Sequence, residues 1–287
     1  MKLNLATLGC LAAMAIGTLT FTSCNNAAIE EEAGADQAVA TNSEEGESVS
    51  SEATNIADGA ARGTSIVGRS SAADGGYELL SACATITHDT TTSPRSLVID
   101  YGTTNCMCND GKNRRGKILV SYTGRYFEAG SVKTMTFDNF YRNDNKVEGT
   151  RKITNNGVNA SGRMTWTIVA TNMRITKTDG TSHTWSSTRT REMFAGFDTP
   201  TMSDDEYQVT GTGSGTNARG INYTAEITTP LHRMMSCRWF DKGVITLTRE
   251  NGSSRTVDFG DGTCDDQATI TVTGRRGRTV TRNITLN

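Results

Sequence analysis

The chain has 287 residues, of which 35% are hydrophobic, and its formal net charge is −2. This length is enough to bury a substantial core, and the near-neutral total combines an acidic segment before residue 77 with a mildly basic remainder, which gives little support for a polyanionic partner. The three histidines each stand alone among Thr, Ser or Arg, and the sequence contains neither H-E-x-x-H nor G-x-S-x-G. The sequence therefore identifies no catalytic residue and no cofactor, and an enzyme is the less favoured class.

The chain begins like an exported protein. Lys2 is the only charge before an apolar run from Leu3 to Phe21, and small residues directly precede Cys24. This layout is typical of a secretory signal. It resembles a bacterial lipoprotein signal, in which the cysteine becomes the first residue after cleavage and carries the lipid. We therefore predict a signal peptide over residues 1–23 and lipidation of Cys24, which attaches the protein to a membrane. An uncleaved membrane helix is disfavoured because threonines dilute the run.

The next segment, residues 24–76, has the composition of a tether. From Asn25 to Gly76 it is rich in Ala, Ser, Glu, Thr and Gly, lacks aromatic residues, and carries ten acidic residues against two arginines. Such a segment buries too little apolar surface to offset the entropy of ordering, so we predict a disordered acidic linker. The acidic cluster Glu30–Glu32 resembles the surface-export signal of Bacteroidota lipoproteins. This resemblance implies a lipid anchor in the outer membrane, with the protein exposed at the surface or facing the periplasm.

Residues 77–287 form the predicted folded domain. Apolar and polar residues alternate with a period of two over 164–168 and 221–227, which is typical of half-buried strands. No comparable stretch of this domain has apolar residues at helical spacing. Asp179-Gly180 and Asn251-Gly252 favour tight hairpin turns. We predict an all-β domain of about a dozen strands, arranged as an antiparallel meander that forms a sandwich or a barrel.

An internal repeat suggests how the cysteines pair. The segment Ile99–Cys106 resembles Val257–Cys264, and each has a cysteine upstream, at separations of 23 and 27 residues. The repeat suggests a duplicated design with disulfides Cys83–Cys106 and Cys237–Cys264, as expected in an oxidising compartment. Each bridge would contribute about 3–4 kcal/mol in the chain-entropy model. The sequence leaves the connectivity open. Cys108 could replace Cys106, and a zinc site made by Cys83, Cys106 and Cys108 is the disfavoured alternative.

Four acidic residues near the second copy of the repeat are weak candidates for calcium. Calcium takes six to eight oxygen ligands, and closely spaced carboxylates in a Gly-rich loop can supply several of them. Their spacing does not match D-x-[DN]-x-[DN]-G, so a solvated turn is favoured and no metal is assigned. These candidates are Asp258, Asp261, Asp265 and Asp266.

Aromatic residues offer a candidate surface for stacking sugar rings, although packing in the core is the favoured interpretation. Basic clusters such as 114–117 lack interleaved aromatic residues, so no nucleic-acid partner is predicted. The candidates for the aromatic platform are Trp166, Trp185, Trp239, Tyr126 and Phe127.

The signal, the acidic tether, the segment Asp138–Thr150 and the Asp-Phe/Tyr-Gly…Cys repeats together resemble an uncharacterised family of Bacteroidota lipoproteins. The resemblance covers most of the domain and implies no activity. We predict a non-catalytic binding, adhesive or scaffold module of the cell envelope. Its expected partners are a glycan or an envelope protein, and the membrane to which the lipid attaches it. The alternatives are a glycan-active enzyme and a carrier of a lipid or small ligand.

Overall fold

The fold is that of a computed structural model, which describes residues 45–46, 48–61, 83–199, 203–274 and 277–286. The predicted signal peptide and Cys24 lie outside these residues. Fourteen antiparallel strands form one sheet, and the described residues contain one short helix, α1, over 45–46 and 48–61. The strands are β1 Thr85–Asp89, β2 Arg95–Asp100, β3 Cys106–Met107, β4 Asn113–Tyr122, β5 Val132–Arg142, β6 Asn145–Val158, β7 Met164–Thr176, β8 Ser182–Ala195, β9 Glu206–Thr216, β10 Asn222–Met234, β11 Lys242–Arg249, β12 Ser254–Asp261, β13 Gln267–Thr273 and β14 Thr279–Thr285.

The strands neighbour one another in chain order, except that β3 pairs only with β4. Within the described chain, β1 and β14 are the two edges and do not pair with each other, so the sheet is not closed. The prediction of an all-β antiparallel meander is confirmed, and the fold is sandwich-like. Within the described ranges, no helix is long and apolar enough to cross a bilayer.

The hairpins after β7, β9, β11 and β13, all at one end of the sheet, share one pattern of two backbone hydrogen bonds. The amide of the first turn residue donates to the carbonyl four positions on, and the amide of the fourth donates back to the first carbonyl. In the first of these hairpins, the Lys177 amide donates to the Thr181 carbonyl at 2.8 Å, and the Gly180 amide donates to the Lys177 carbonyl at 3.0 Å. Gly180 has φ +83°, a left-handed conformation that glycine adopts without a steric penalty. The predicted turns at Asp179-Gly180 and Asn251-Gly252 are confirmed. We call this the turn end; the opposite end, where longer connections follow β4, β8 and β10, is the loop end.

The prediction of a disordered linker is wrong over residues 48–61, because these residues form most of α1. The folded part of the chain therefore extends to the N-terminal side of residue 77. Apolar residues in α1 recur at i, i+4, i+7, i+8 and i+11, the spacing of one helical face. All five are buried: Val49, Ala53, Ile56, Ala57 and Ala60. Apart from 45–46, the rest of the predicted linker lies outside the described residues.

The sheet curves around α1. A Cβ atom added to Gly46 would lie 3.1 Å from the ring of Trp185 on β8. The Ser51 hydroxyl accepts a hydrogen bond at 3.4 Å from Arg233 on β10, while Asp58 pairs with Lys133 on β5 at 2.9 Å. Because β5 and β10 both contact one helix, the strands between them must wrap around it.

Buried ion pairs hold α1 in place. The Glu52 carboxylate lies 2.8 Å from Lys112 and 3.0 Å from Arg142, and it also pairs with Arg114, whose side chain is completely buried. Burial alone would raise the pKa of Glu52, but the charges of Arg142, Arg114 and Lys112 outweigh burial and lower the pKa to about 2. Glu52 is therefore ionised at neutral pH.

The buried apolar residues form two clusters, one containing α1 and the first strands and the other built on β10–β14. Between them, β9 places Gly211, Gly213 and Gly215 on the inner face of the sheet. A Cβ atom on Gly215 would lie 2.5 Å from the Tyr223 hydroxyl, so only glycine leaves room for that ring. The aromatic side chains of Trp185 and Tyr223 flank this position in register and fill the space that glycine leaves.

Candidate functional site

The two suggested cysteine pairs both lie at disulfide distance. Cys83 joins Cys106 and Cys237 joins Cys264, with Cα–Cα distances of 6.2 and 5.8 Å. Each bridge pins a hairpin, β1–β2 in the first case and β11–β12 in the second. Cys108 is a buried free thiol, so the alternative pairing through Cys108 is wrong. The zinc alternative is also wrong, because two of its three thiolates are bonded to each other.

The two copies of the internal repeat also share a local turn. The Asp100 carboxylate accepts a hydrogen bond from the Gly102 amide at 2.8 Å, and Asp258 accepts one from the Gly260 amide at 3.0 Å. Tyr101, between Asp100 and Gly102, is buried, as is Phe259 in the second copy. The aspartates of the repeat therefore cap a strand end, which explains their recurrence without a ligand.

The four calcium candidates do not form a site. Each of their carboxylates accepts a hydrogen bond from a residue one or two positions further along the chain. Among the residues that the structure describes, no three His, Cys, Asp or Glu side chains converge on a point that could hold a metal. The carboxylates of Asp258, Asp261, Asp265 and Asp266 stabilise their own turns.

The candidate aromatic platform does not assemble as one surface. Trp185 is buried beside Gly46, and Trp239 packs against the second apolar cluster. Tyr126 is also buried, with the Lys133 ammonium 4.1 Å from its ring centroid. Phe127 packs edge to face on Tyr126, with ring centroids 4.8 Å apart, and Phe127 and Trp166 both line one pocket.

This pocket opens at the loop end, between α1 and strands β5 to β9. Its volume is about 360 Å³, near the lower end of the range of small-molecule sites, roughly 300–1,000 Å³. Aromatic and thioether side chains form most of its apolar wall, and methionine adapts its shape easily to a bound group. The apolar lining residues are Phe127, Met164, Trp166, Met193, Phe197 and Met235.

Exposed apolar side chains gather at the mouth of this pocket. Phe127 is 42% exposed and Phe197 is 54% exposed, and both line the pocket. Val158 is also exposed and pairs in register with the lining residue Met164, while the exposed Phe194 stacks on Arg163 at the loop end. Of the large apolar side chains that are exposed in the described ranges, only Met107 lies away from the loop end. Such a grouping is typical of a binding surface.

Charged groups form the base of the pocket. Asp58 of α1 accepts a hydrogen bond from the Lys133 ammonium at 2.9 Å, and Asp205 accepts one from the Tyr207 hydroxyl at 2.8 Å. Burial alone would raise the pKa of Asp58, but the charges of Lys133 and Arg191 and a hydrogen bond with Tyr126 lower it below its usual value. Asp58 is thus a structural anion rather than a proton donor.

Arg191 differs from the other charged groups in the pocket. Its guanidinium carbon lies 4.6 Å from the ring centroids of both Trp166 and Tyr207, which pack edge to face with centroids 6.0 Å apart, so the cation contacts both rings of an aromatic pair. Its Nε is buried and has no hydrogen-bond partner within the described chain.

Two of the histidines acquire surroundings that the sequence did not indicate. His232 lies between two carboxylates, with Nδ1 2.7 Å from Asp241 and Nε2 3.3 Å from Glu206. His183 stacks on Trp185, and burial together with the charge of Lys177 lowers its pKa to about 4.

Comparisons with known proteins give no relative for this chain: no family model, no curated protein and no solved structure matches it. Function must therefore be inferred from the site itself.

The sequence analysis missed most of the pocket. Its residues come from positions between 55 and 235, and Asn55 and Asp58 belong to the segment predicted to be disordered. One signal was present in the sequence. Phe127 and Phe197 occupy Gly-rich connections between predicted strands, where an aromatic residue has no strand face to pack against.

Proposed function

We propose that this protein is a non-catalytic module of the cell envelope, lipid-anchored at Cys24, that binds a small apolar or amphiphilic ligand in the loop-end pocket. The gathering of exposed apolar side chains at the mouth of that pocket carries the proposal. The site is concave and combines an apolar wall with polar and charged groups, so it can contact both parts of an amphiphilic ligand.

The pocket favours binding over glycan cleavage. A glycosidase needs one carboxylic acid whose pKa is raised so that it can protonate the leaving group. Asp58 has a lowered pKa and donates no proton, and Asp205 is already hydrogen-bonded to Tyr207. A carrier or sensor of a small ligand therefore fits the pocket better than an enzyme does.

The environment-sensitive dye 1-anilinonaphthalene-8-sulfonate tests this pocket directly. We expect saturable binding with a rise in fluorescence, and an affinity about tenfold weaker in the double variant Phe127→Ala/Phe197→Ala, because two rings no longer cover the dye. The Met107→Ala variant removes a still more exposed apolar side chain at the turn end and should bind as the wild type does. Equal affinities in all three proteins, or no saturable binding, would contradict the proposed site.

Metabolic labelling with an alkyne analogue of palmitate tests the anchor. In a bacterial host that processes lipoproteins, the wild-type chain should incorporate the label and Cys24→Ser should lose it. Cys10→Ser is the matched control, because Cys10 lies inside the predicted signal peptide and should not affect labelling. Label retained by Cys24→Ser, or absent from the wild type, would show that the protein is not anchored at this cysteine.

A further inference from the structure

The charged residues of the loop-end pocket differ in how their hydrogen-bonding capacity is used. Lys133 is bonded to Asp58 at 2.9 Å, and Asp205 is bonded to Tyr207 at 2.8 Å. The Nε of Arg191 is buried and has no hydrogen-bond partner within the described part of the chain, although the charge of Arg191 helps to lower the pKa of Asp58. Arg191 is therefore the charged group in this pocket with a donor left for a ligand.

Two aromatic rings position the guanidinium of Arg191 before a ligand binds. Trp166 and Tyr207 pack edge to face, and the ring centroid of each lies 4.6 Å from the guanidinium carbon, so contacts with two rings restrict the position of the cation. A buried donor without an acceptor is unfavourable, whereas a carboxylate can accept two parallel hydrogen bonds from one guanidinium. An anionic ligand group would thus satisfy Arg191 at little cost in conformational freedom.

A second arginine makes the interior near this site more positive. Arg233 on β10 donates to Ser51 of α1 at 3.4 Å, and its Nε is also buried without an acceptor in the described chain. Burial and the positive charge of Arg191 lower the pKa of Arg233, although Glu52 opposes them. Because the two guanidiniums repel each other, a negative charge bound at Arg191 would stabilise both.

We propose that the ligand of the loop-end pocket is an amphiphilic carboxylate, whose anionic group binds Arg191 while its apolar chain packs against Phe127, Phe197 and the methionine side chains. This inference rests on the proposed function and specifies the ligand class of the same site. In this arrangement Arg191 selects a carboxylate over an uncharged polar group, and the apolar wall binds the chain of the ligand.

Titration calorimetry with decanoate and decanol separates these two contributions. The protein is the chain from residue 24 with Cys24→Ser, which keeps every described residue. We expect decanoate to bind at least tenfold more tightly than decanol. Arg191→Gln should weaken decanoate binding at least tenfold, to about the level of decanol, while decanol binding stays within twofold of wild type. Retained decanol binding also shows that the variant is folded.

Arg163→Gln is the matched control. Arg163 also stacks on an aromatic ring at the loop end, 3.6 Å from the Phe194 centroid, but its guanidinium is paired with Glu192 at 3.0 Å. This variant should bind decanoate as the wild type does. Equal affinities for decanoate and decanol, or equal losses in both arginine variants, would overturn the assignment to Arg191 and leave the apolar pocket standing. Failure of both ligands to bind would overturn the assignment and the proposed pocket together.

Discussion

Replacing Glu52 by Gln should lower the free energy of unfolding by about 3–5 kcal/mol, the cost of removing one partner from a buried ion pair. The Glu52 carboxylate neutralises Lys112 and Arg142, and it shares Arg114 with Asp110. Glutamine keeps the shape of the side chain but leaves these cations without that negative charge. Chemical denaturation followed by far-UV circular dichroism measures the change.

Glu148→Gln is the matched control for this substitution. The Lys146–Glu148 pair has a similar distance, 2.8 Å, but both side chains are more than a third exposed. Exposed pairs contribute about 0–1 kcal/mol, so this variant should differ little from wild type. Hydrogen exchange of peptides from residues 48–61 should show faster exchange in Glu52→Gln only. If both variants were equally stable, the ion pairs would not be what holds α1.

The same residue predicts a dependence of stability on pH. The pKa of Glu52 is about 2 in the folded protein and 4.5 in its unperturbed state. A lowered folded-state pKa stabilises the protein fully above the unfolded value, and this contribution is lost as the pH falls from 4.5 towards 2. Wild type should therefore lose stability over this range more steeply than Glu52→Gln does.

Removing the bridge Cys237–Cys264 by alanine substitution at both positions should lower the free energy of unfolding by about 3–4 kcal/mol. The bridge closes a loop of 27 residues, and opening it gives the unfolded chain more conformations. The double variant isolates this effect, since the bridge Cys83–Cys106 stays intact at the other end of the chain.

Reduction provides the control for the disulfide experiment. Dithiothreitol should destabilise wild type, and it should have no effect on a variant in which all four bridged cysteines are alanine. Mass spectrometry under non-reducing conditions should find two intramolecular bridges in protein matured in the periplasm. Four or more free thiols in that material, or unchanged stability of the Cys237/Cys264 variant, would contradict the assignment of these bridges.

Part of strand β7 and the turn that follows it were predictable from the sequence, which also suggested the two disulfide bridges. The period of two from Met164 to Ile168 predicted part of β7, and Asp179-Gly180 predicted the turn that follows it. Both are local properties, because strand faces and left-handed glycines depend on neighbours in the chain. The repeat suggested the bridges for a similar reason, since each pairs two cysteines that flank one hairpin.

The helix and the pocket could not be predicted in this way. The apolar face of α1 consists mainly of alanine, which provides little hydrophobic stabilisation by itself. Its acidic residues suggested a solvated tether, yet Glu52 pairs with Arg142, 90 residues away, and Asp58 pairs with Lys133, 75 residues away. Only the curved sheet brings these opposite charges together.

By itself, the sequence determined the meander of strands and the hairpin turns, and it suggested the cysteine pairing within the repeat, because each depends on residues close together in the chain. The tertiary structure decided that an acidic segment becomes a buried helix, that Trp166 and Trp185 lie apart, and that Arg191 contacts both Trp166 and Tyr207. These outcomes depend on the curvature and register of strands distant in sequence, which no local pattern of residues encodes.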